Sequence, residues 1–115
     1  MREAEIRALA MEAPEKLLVL LGKAETEGRP SGYLASMLEA LARSPLDSVV
    51  PTLIRFLDHA SPVVQEGALY GLAGHPTPQV VAKLREVTEN KFRNRVIREI
   101  ATEVLREIHE TALSV

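Results

Sequence analysis

The sequence of 115 residues has no cysteine and no tryptophan, and only 2 tyrosines and 2 phenylalanines. The lack of cysteine excludes disulfide frameworks, thiolate zinc sites, iron–sulfur clusters and cysteine nucleophiles. With so few aromatic side chains, a chain that is 46% hydrophobic must build its core from aliphatic residues. The formal net charge of −2 provides no overall attraction to nucleic acid or to a membrane surface.

Long hydrophobic runs are also missing. The longest one, Leu17–Leu21, is far shorter than the roughly 20 residues that span a bilayer. The first residues, Met1–Glu5, do not show the basic and then apolar order of a secretory signal. We therefore expect a cytoplasmic protein without a membrane-spanning segment.

What the sequence does contain is an internal repeat of about 31 residues. An apolar stripe with the spacing of an amphipathic helix occurs three times: Tyr33, Met37, Leu38, Leu41, Ala42; Val64, Ala68, Leu69, Leu72, Ala73; and Val96, Ile100, Ala101, Val104, Leu105. A second series lies between these stripes: Val49, Val50, Leu53, Phe56 match Val80, Val81, Leu84, Val87. Two interleaved series with one period indicate a repeat built from two helices.

Prolines and capping residues mark the helix ends and predict seven helices and no strand. Ser44-Pro45 and His75-Pro76 end the first helices of two units, because a residue before proline leaves the α region. Asp47 and Thr77 stand where N-caps are wanted. An opening pair covers about Arg2 to Glu12 and Glu15 to Thr26, and a last helix covers about Phe92 to Ala112.

The predicted architecture is a single domain, a short right-handed α-solenoid. Each two-helix unit leaves an apolar face that only a neighbouring unit covers, so the units stack. The predicted units are a degenerate pair at 1–30, repeats at 31–60 and 61–91, and a capping helix at 92–115.

The stretch Ser61–Ala73 (SPVVQEGALYGLA) resembles the first helix of a HEAT repeat, and the similarity extends over about Ser31 to Ile108. The chain is thus similar to the HEAT-repeat (armadillo-like) family, in its short bacterial E-Z type. The resemblance implies the solenoid fold and a tendency to bind other macromolecules, and it implies no reaction. The usual arginine of the motif is Gln65 here, and we expect no Asp–Arg ladder between units.

No residue pattern indicates catalysis, a cofactor or a metal. His59, His75 and His109 form no ligand set with metal spacing, and we interpret them as exposed helix-end residues, with His75 as a C-terminal cap. Gly67 and Gly71 lie four residues apart in one helix, which indicates close approach of a neighbouring helix. We therefore predict a protein that is not an enzyme.

The candidate binding residues fall into two groups. In HEAT-like solenoids the second helices line the concave face, so the resemblance implies that their non-core positions form rows for a protein partner: Thr52 beside Lys83, Arg55 beside Glu86, His59 beside Asn90. The second group is the basic turn from Lys91 to Arg98, which has four cations, including Arg93 and Arg95, and no acid.

Three alternatives to a protein-interaction scaffold or adaptor stay open. The basic turn could hold nucleic acid, although such grooves usually make six or more phosphate contacts. The chain could be a helper subunit of an enzyme that binds a small ligand, as in the HEAT-like phycobilin lyases that it resembles. A homodimer could form through the C-terminal helix, on Ile97 and Ile108.

Overall fold

The computed structural model describes residues 1–113, and in this range the chain forms seven α-helices, two 3₁₀ turns and no strand. This confirms the all-α class. The α-helices are α1 (Glu3–Glu12), α2 (Pro14–Thr26), α3 (Ser31–Ala40), α4 (Val50–Phe56), α5 (Pro62–Leu72), α6 (Pro78–Glu89) and α7 (Arg95–Leu113). The 3₁₀ turns are Leu41–Arg43 and Asp47–Val49.

The helices form the two layers of an α-solenoid. Helices α1, α3, α5 and α7 pack against one another in chain order, and α2, α4 and α6 form the second layer. The shortest dimension of the molecule is 19 Å, which is the thickness of two helices of about 10 Å each. The core between the layers is aliphatic except for Phe56, whose side chain is buried.

Several predicted helix ends are confirmed. The hydroxyl of Thr77 accepts a hydrogen bond of 3.2 Å from the backbone N–H of Val80, so Thr77 caps α6. Pro62 and Pro78 are the first residues of α5 and α6, where the lost N–H has no helical partner in any case. Pro51 lies in the first turn of α4, as expected.

Helix α5 approaches α3 through a stripe of glycines. A methyl group at Gly67 would lie 2.7 Å from the Cα atom and 2.8 Å from the carbonyl oxygen of Ala35 in α3. A methyl group at Gly71 would meet the carbonyl oxygen of Leu38, and 2.7 Å away the Cδ2 atom of Leu53. The predicted close approach is confirmed, and the backbone of α3 is what requires glycine here.

The predicted apolar stripe of α7 is confirmed at Ala101 and Val104, which are buried, and is wrong at its first residue. Val96, placed on the stripe, is 56% exposed. The buried residues are Ile97, Ala101, Val104 and Ile108, at spacings of four, three and four. Because α7 closes the stack and packs on one side only, a narrow stripe is enough. The two isoleucines predicted as homodimer contacts are thus part of the core of the chain itself.

His75 is not the exposed C-terminal cap that we predicted. Its ring is 1% exposed and lies between two elements of the preceding unit. Nδ1 is 2.8 Å from a carboxylate oxygen of Asp47, and Nε2 is 2.8 Å from the carbonyl oxygen of Leu41. Asp47 is therefore not the predicted N-cap: it starts a 3₁₀ turn and its side chain faces His75 instead of a backbone N–H.

Helix α7 begins three residues later than predicted. The side-chain oxygen of Asn94 accepts hydrogen bonds from the backbone N–H groups of Val96 and Ile97, at 2.8 and 3.3 Å, and so caps the helix. Residues 90–94 form the α6–α7 loop instead. The predicted capping unit 92–115 also includes two residues, Ser114 and Val115, that lie outside the described part of the chain.

Candidate partner-binding surfaces

Arg55 is an exposed cation on the second-layer face, by which we mean the exposed side of α2, α4 and α6. Its guanidinium faces the carboxylate of Glu25 in α2, with an Nη2–Oε1 distance of 3.4 Å. The same group lies over the ring of Phe56, 4.4 Å from the centroid. Its side chain is still 59% exposed. The neighbouring helix and the ring beneath thus hold an accessible cation in place.

The α6 part of this face carries Lys83 and Glu86. The Nζ atom of Lys83 lies 3.0 Å from a carboxylate oxygen of Glu86, one turn along the same helix. The side chain of Lys83 is 21% exposed, and that of Glu86 is 58% exposed. Glu86 is thus paired with Lys83 and not with Arg55, the cation of its predicted row. The lateral arrangement of Thr52, Arg55, Lys83 and Glu86 in rows stays a prediction.

His59 and Asn90, the last predicted pair, organise turns. Nδ1 of His59 accepts a hydrogen bond of 3.0 Å from the backbone N–H of Ser61, and the imidazole stacks on Phe56 with centroids 6.0 Å apart. The side-chain oxygen of Asn90 accepts a hydrogen bond of 3.0 Å from the backbone N–H of Phe92. Both side chains therefore have structural partners within the chain.

The four cations of the basic turn differ in exposure: Arg93 and Arg98 are half-buried, and Lys91 and Arg95 are exposed. Arg93 donates to the carbonyl oxygen of Leu57 at 2.9 Å and to the carboxylate of Asp58 at 2.8 Å, and its side chain is only 14% exposed. Arg95 is 84% exposed and pairs with Glu99 at 3.1 Å. Lys91 is exposed. Arg93 therefore fastens the α6–α7 loop to the preceding α4–α5 turn.

The expectation that no Asp–Arg ladder joins the units is wrong in part. Arg93 with Asp58 and Arg55 with Glu25 are ion pairs between residues roughly one repeat length apart, at separations of 35 and 30 residues. They lie on the second layer and in the turns instead of at the motif position that Gln65 occupies. Glu25 and Asp58 were absent from the predicted set, although the separation of Glu25 and Arg55 is close to the repeat length.

Phe92 is the most exposed large hydrophobic residue among those that the structure describes. Its side chain is 89% exposed, although it lies in a loop held by hydrogen bonds on both sides. The Nζ atom of Lys91 is 5.6 Å from the ring centroid. Sequence reasoning placed Phe92 at a turn and did not include it in the site. A single aromatic residue among four cations was the available indication.

A groove lies on the opposite layer, between α1, α3 and α5. It has a volume of about 350 Å³, and its lining mixes charged, polar and apolar side chains: Glu3, Ile6, Arg7, Ser36, Glu39, Ala40, Ala42, Arg43, Tyr70. Burial raises the pKa of the Tyr70 phenol above its ordinary value of 10.0, and the nearby carboxylates, Glu66 first, raise it further. The potential beside Tyr70 is therefore negative.

Within residues 1–113, no group of three or more His, Asp or Glu side chains is placed to hold a metal ion. No helix among these residues combines the length and the apolar character needed to cross a membrane.

The sequence comparison gives one family match. A family model described as HEAT repeats matches residues 29–106, from just before α3 to the middle of α7. No curated protein and no solved structure matches the chain.

Proposed function

The chain belongs to the HEAT-repeat family, and from this premise we propose that it is a non-catalytic scaffold or adaptor that binds a partner protein. HEAT repeats commonly act as protein-interaction scaffolds. We take the second-layer face as the concave side of the solenoid and as the binding surface, with Lys91 and Arg95 at its edge. The division into units 1–30, 31–60, 61–91 and 92–115 is part of the same proposal.

The proposal depends on one observation, which is that Arg55 is held by neighbouring groups and is still exposed. Arginine is enriched among the residues that dominate interface energies, and a side chain that is ordered before binding loses less conformational entropy. Glu25 and the ring of Phe56 fix Arg55 while leaving it 59% exposed. The planar guanidinium is thus available for a carboxylate or a carbonyl group of a partner.

The charges around Arg55 restrict the partner. Glu25 and Glu86 are acidic, and Arg55 and Lys83 are basic, so the face presents both signs in alternation. Such a surface does not attract one sign of charge at long range, and it favours partners whose charges match locally. An extended segment or a helix of a protein is the ligand that fits a surface of this kind.

The double variant Arg55→Ala/Lys83→Ala tests the proposal. Tagged wild-type and variant proteins are used to capture partners from the native extract, and the captured proteins are quantified by mass spectrometry. We expect the partners captured by the wild type to fall by about tenfold or more in the variant. The matched control Arg2→Ala/Arg106→Ala removes the same charge from exposed positions outside this face and should capture normally. If Arg55→Ala/Lys83→Ala captured the same partner proteins in the same amounts as the wild type, the proposal would be refuted.

Two of the alternatives have direct tests. The ion pair of Arg93 with Asp58 argues against nucleic-acid binding by the Lys91–Arg98 turn, because this cation is already neutralised within the chain. Fluorescence anisotropy with a labelled duplex at low salt measures such binding. A small ligand would use the α1–α3–α5 groove, whose lining contains more charged and polar side chains than apolar ones. Thermal shifts across a metabolite panel would reveal such a ligand, and a scaffold should show none.

A further inference from the structure

We propose that the α6–α7 loop is a second docking element, separate from the second-layer face, in which Phe92 packs on an acidic amphipathic segment of a partner protein. The apolar side of that segment contacts Phe92 and Val96, and its carboxylates reach the cations beside them. This inference rests on the proposed function only in taking the partner to be a protein.

The loop is ordered before any partner arrives. The side-chain oxygen of Asn90 accepts the backbone N–H of Phe92 at 3.0 Å, and the carbonyl oxygen of Asn90 accepts the backbone N–H of Arg93 at 3.1 Å. Asn94 caps α7 on the other side of Phe92. The guanidinium of Arg93 holds the loop to Leu57 and Asp58. A loop fixed in this way loses little conformational freedom when it binds.

The apolar part of this loop faces solvent in spite of its order. Phe92 is 89% exposed, and Val96, in the first turn of α7, is 56% exposed. Single exposed aliphatic residues are common, but aromatic side chains, including phenylalanine, are enriched at protein interfaces. The core next to it is closed by Ile97, which is 1% exposed, so Phe92 is not needed to cover it.

The charges near Phe92 select an acidic partner. Residues 91–98 contain four cations and no acid. Arg93 is paired with Asp58 and Arg95 with Glu99, although Arg95 is 84% exposed, whereas Lys91 has no carboxylate partner among the described residues. The Lys91 ammonium group beside the Phe92 ring is therefore available to a carboxylate of a partner. Cations around an apolar anchor complement a segment in which carboxylates flank leucine-type side chains.

Fluorescence polarisation with labelled synthetic peptides tests the inference on the full chain. The probe is a short helical peptide with a leucine stripe flanked by glutamates. One control peptide has lysine in place of glutamate, and another has serine in place of leucine. We expect binding of the first peptide only, and about tenfold weaker binding for Phe92→Ala and for Lys91→Glu/Arg95→Glu. Met11→Ala, at another exposed apolar residue (56%), is the matched control and should bind normally.

Each other outcome overturns the inference. These outcomes are no binding of the acidic amphipathic peptide, equal binding by Phe92→Ala, or binding of the lysine peptide. Binding that requires Phe92 but is seen only with phosphatidylcholine–phosphatidylserine vesicles would assign the loop to a membrane surface. Thermal unfolding checks that Phe92→Ala is folded. The double variant Arg55→Ala/Lys83→Ala should keep peptide binding, so failure of this inference and failure of the proposed function are distinguishable.

Discussion

Replacing Gly67 by alanine should destabilise the protein, although alanine is the better helix former. In an unobstructed helix the change would stabilise by about 1 kcal/mol. Here the added carbon would lie 2.7 Å from the Cα atom, 2.8 Å from the carbonyl oxygen and 3.0 Å from the Cβ atom of Ala35. Comfortable separations are about 3.5–4.0 Å. Helices α3 and α5 would therefore have to separate by nearly 1 Å.

The size of the expected loss of stability depends on which atoms obstruct the added methyl group. Two of the three obstructing atoms belong to the α3 backbone, which cannot rotate aside as a side chain would. Overpacking of a well-filled interior costs typically about 1–3 kcal/mol. After the helix-propensity gain is subtracted, we expect Gly67→Ala to lower the free energy of unfolding by up to about 2 kcal/mol. Gly71→Ala, which meets the carbonyl oxygen of Leu38 as well as the Leu53 side chain, should cost more.

Gly22 in α2 is the matched control, because nothing lies within 4 Å of a methyl group built there. Gly22→Ala should stabilise by about 0.5 to 1 kcal/mol. Urea unfolding at 25 °C, followed by circular dichroism at 222 nm, compares the three variants with the wild type. With a slope near 2 kcal/mol per molar, a change of 1 kcal/mol shifts the midpoint by about 0.5 M. If Gly67→Ala raised the midpoint as Gly22→Ala does, the close-packing argument would be refuted.

Three further predictions concern the polar side chains. Thr77→Ala removes the cap of α6 and should cost about 1 kcal/mol in urea unfolding, whereas equal stability would show that the cap is not needed. His75→Leu removes the hydrogen bond from the ring to the carbonyl oxygen of Leu41, which keeps the backbone N–H of Ser44 as a donor, and should cost about 1 kcal/mol; unchanged stability would be the contrary result. In a Tyr33→Phe background, absorbance at 295 nm should report the raised pKa of Tyr70, and Glu66→Gln should lower that pKa. The unfolded chain loses the Tyr70 proton at a lower pH than the folded chain. The contribution of Tyr70 to the free energy of unfolding is therefore complete below pH 10 and is lost as pH rises through the folded pKa. A Tyr70 pKa that is unchanged in Glu66→Gln would contradict the assigned cause.

The helices could be predicted because their physical causes are local. Apolar spacing reports which residues share a helix face, and the prolines report where the backbone cannot continue. The choice between adjacent apolar residues is not local: Val96 and Ile97 both fit the start of a stripe, and packing of α7 on α5 and α6 decides that Ile97 is buried. The error of one residue at this point then placed Ile97 and Ile108 on the wrong surface.

The candidate site also separates into features with local causes, which the sequence predicts, and features that depend on packing between distant residues. Composition identified the cations of the basic turn, but it could not tell that Arg93 reaches back 36 residues to the carbonyl oxygen of Leu57. Likewise the burial of His75 depends on the position of Asp47 and Leu41 in the preceding unit. Contacts between units are set by the stacking geometry. They become visible only when residues about one repeat apart are considered as pairs.

The polar contacts between units have a consequence for how the chain opens under heat or force. Glu25 with Arg55 and Asp47 with His75 each join residues about one repeat apart, and Asp58 with Arg93 joins the α4–α5 turn to the α6–α7 loop. In a linear array, stability is a sum of unit terms and nearest-neighbour terms, and strong neighbour terms suppress partly open states. We expect all units to melt together, without a weak joint at which an end unit could peel away first.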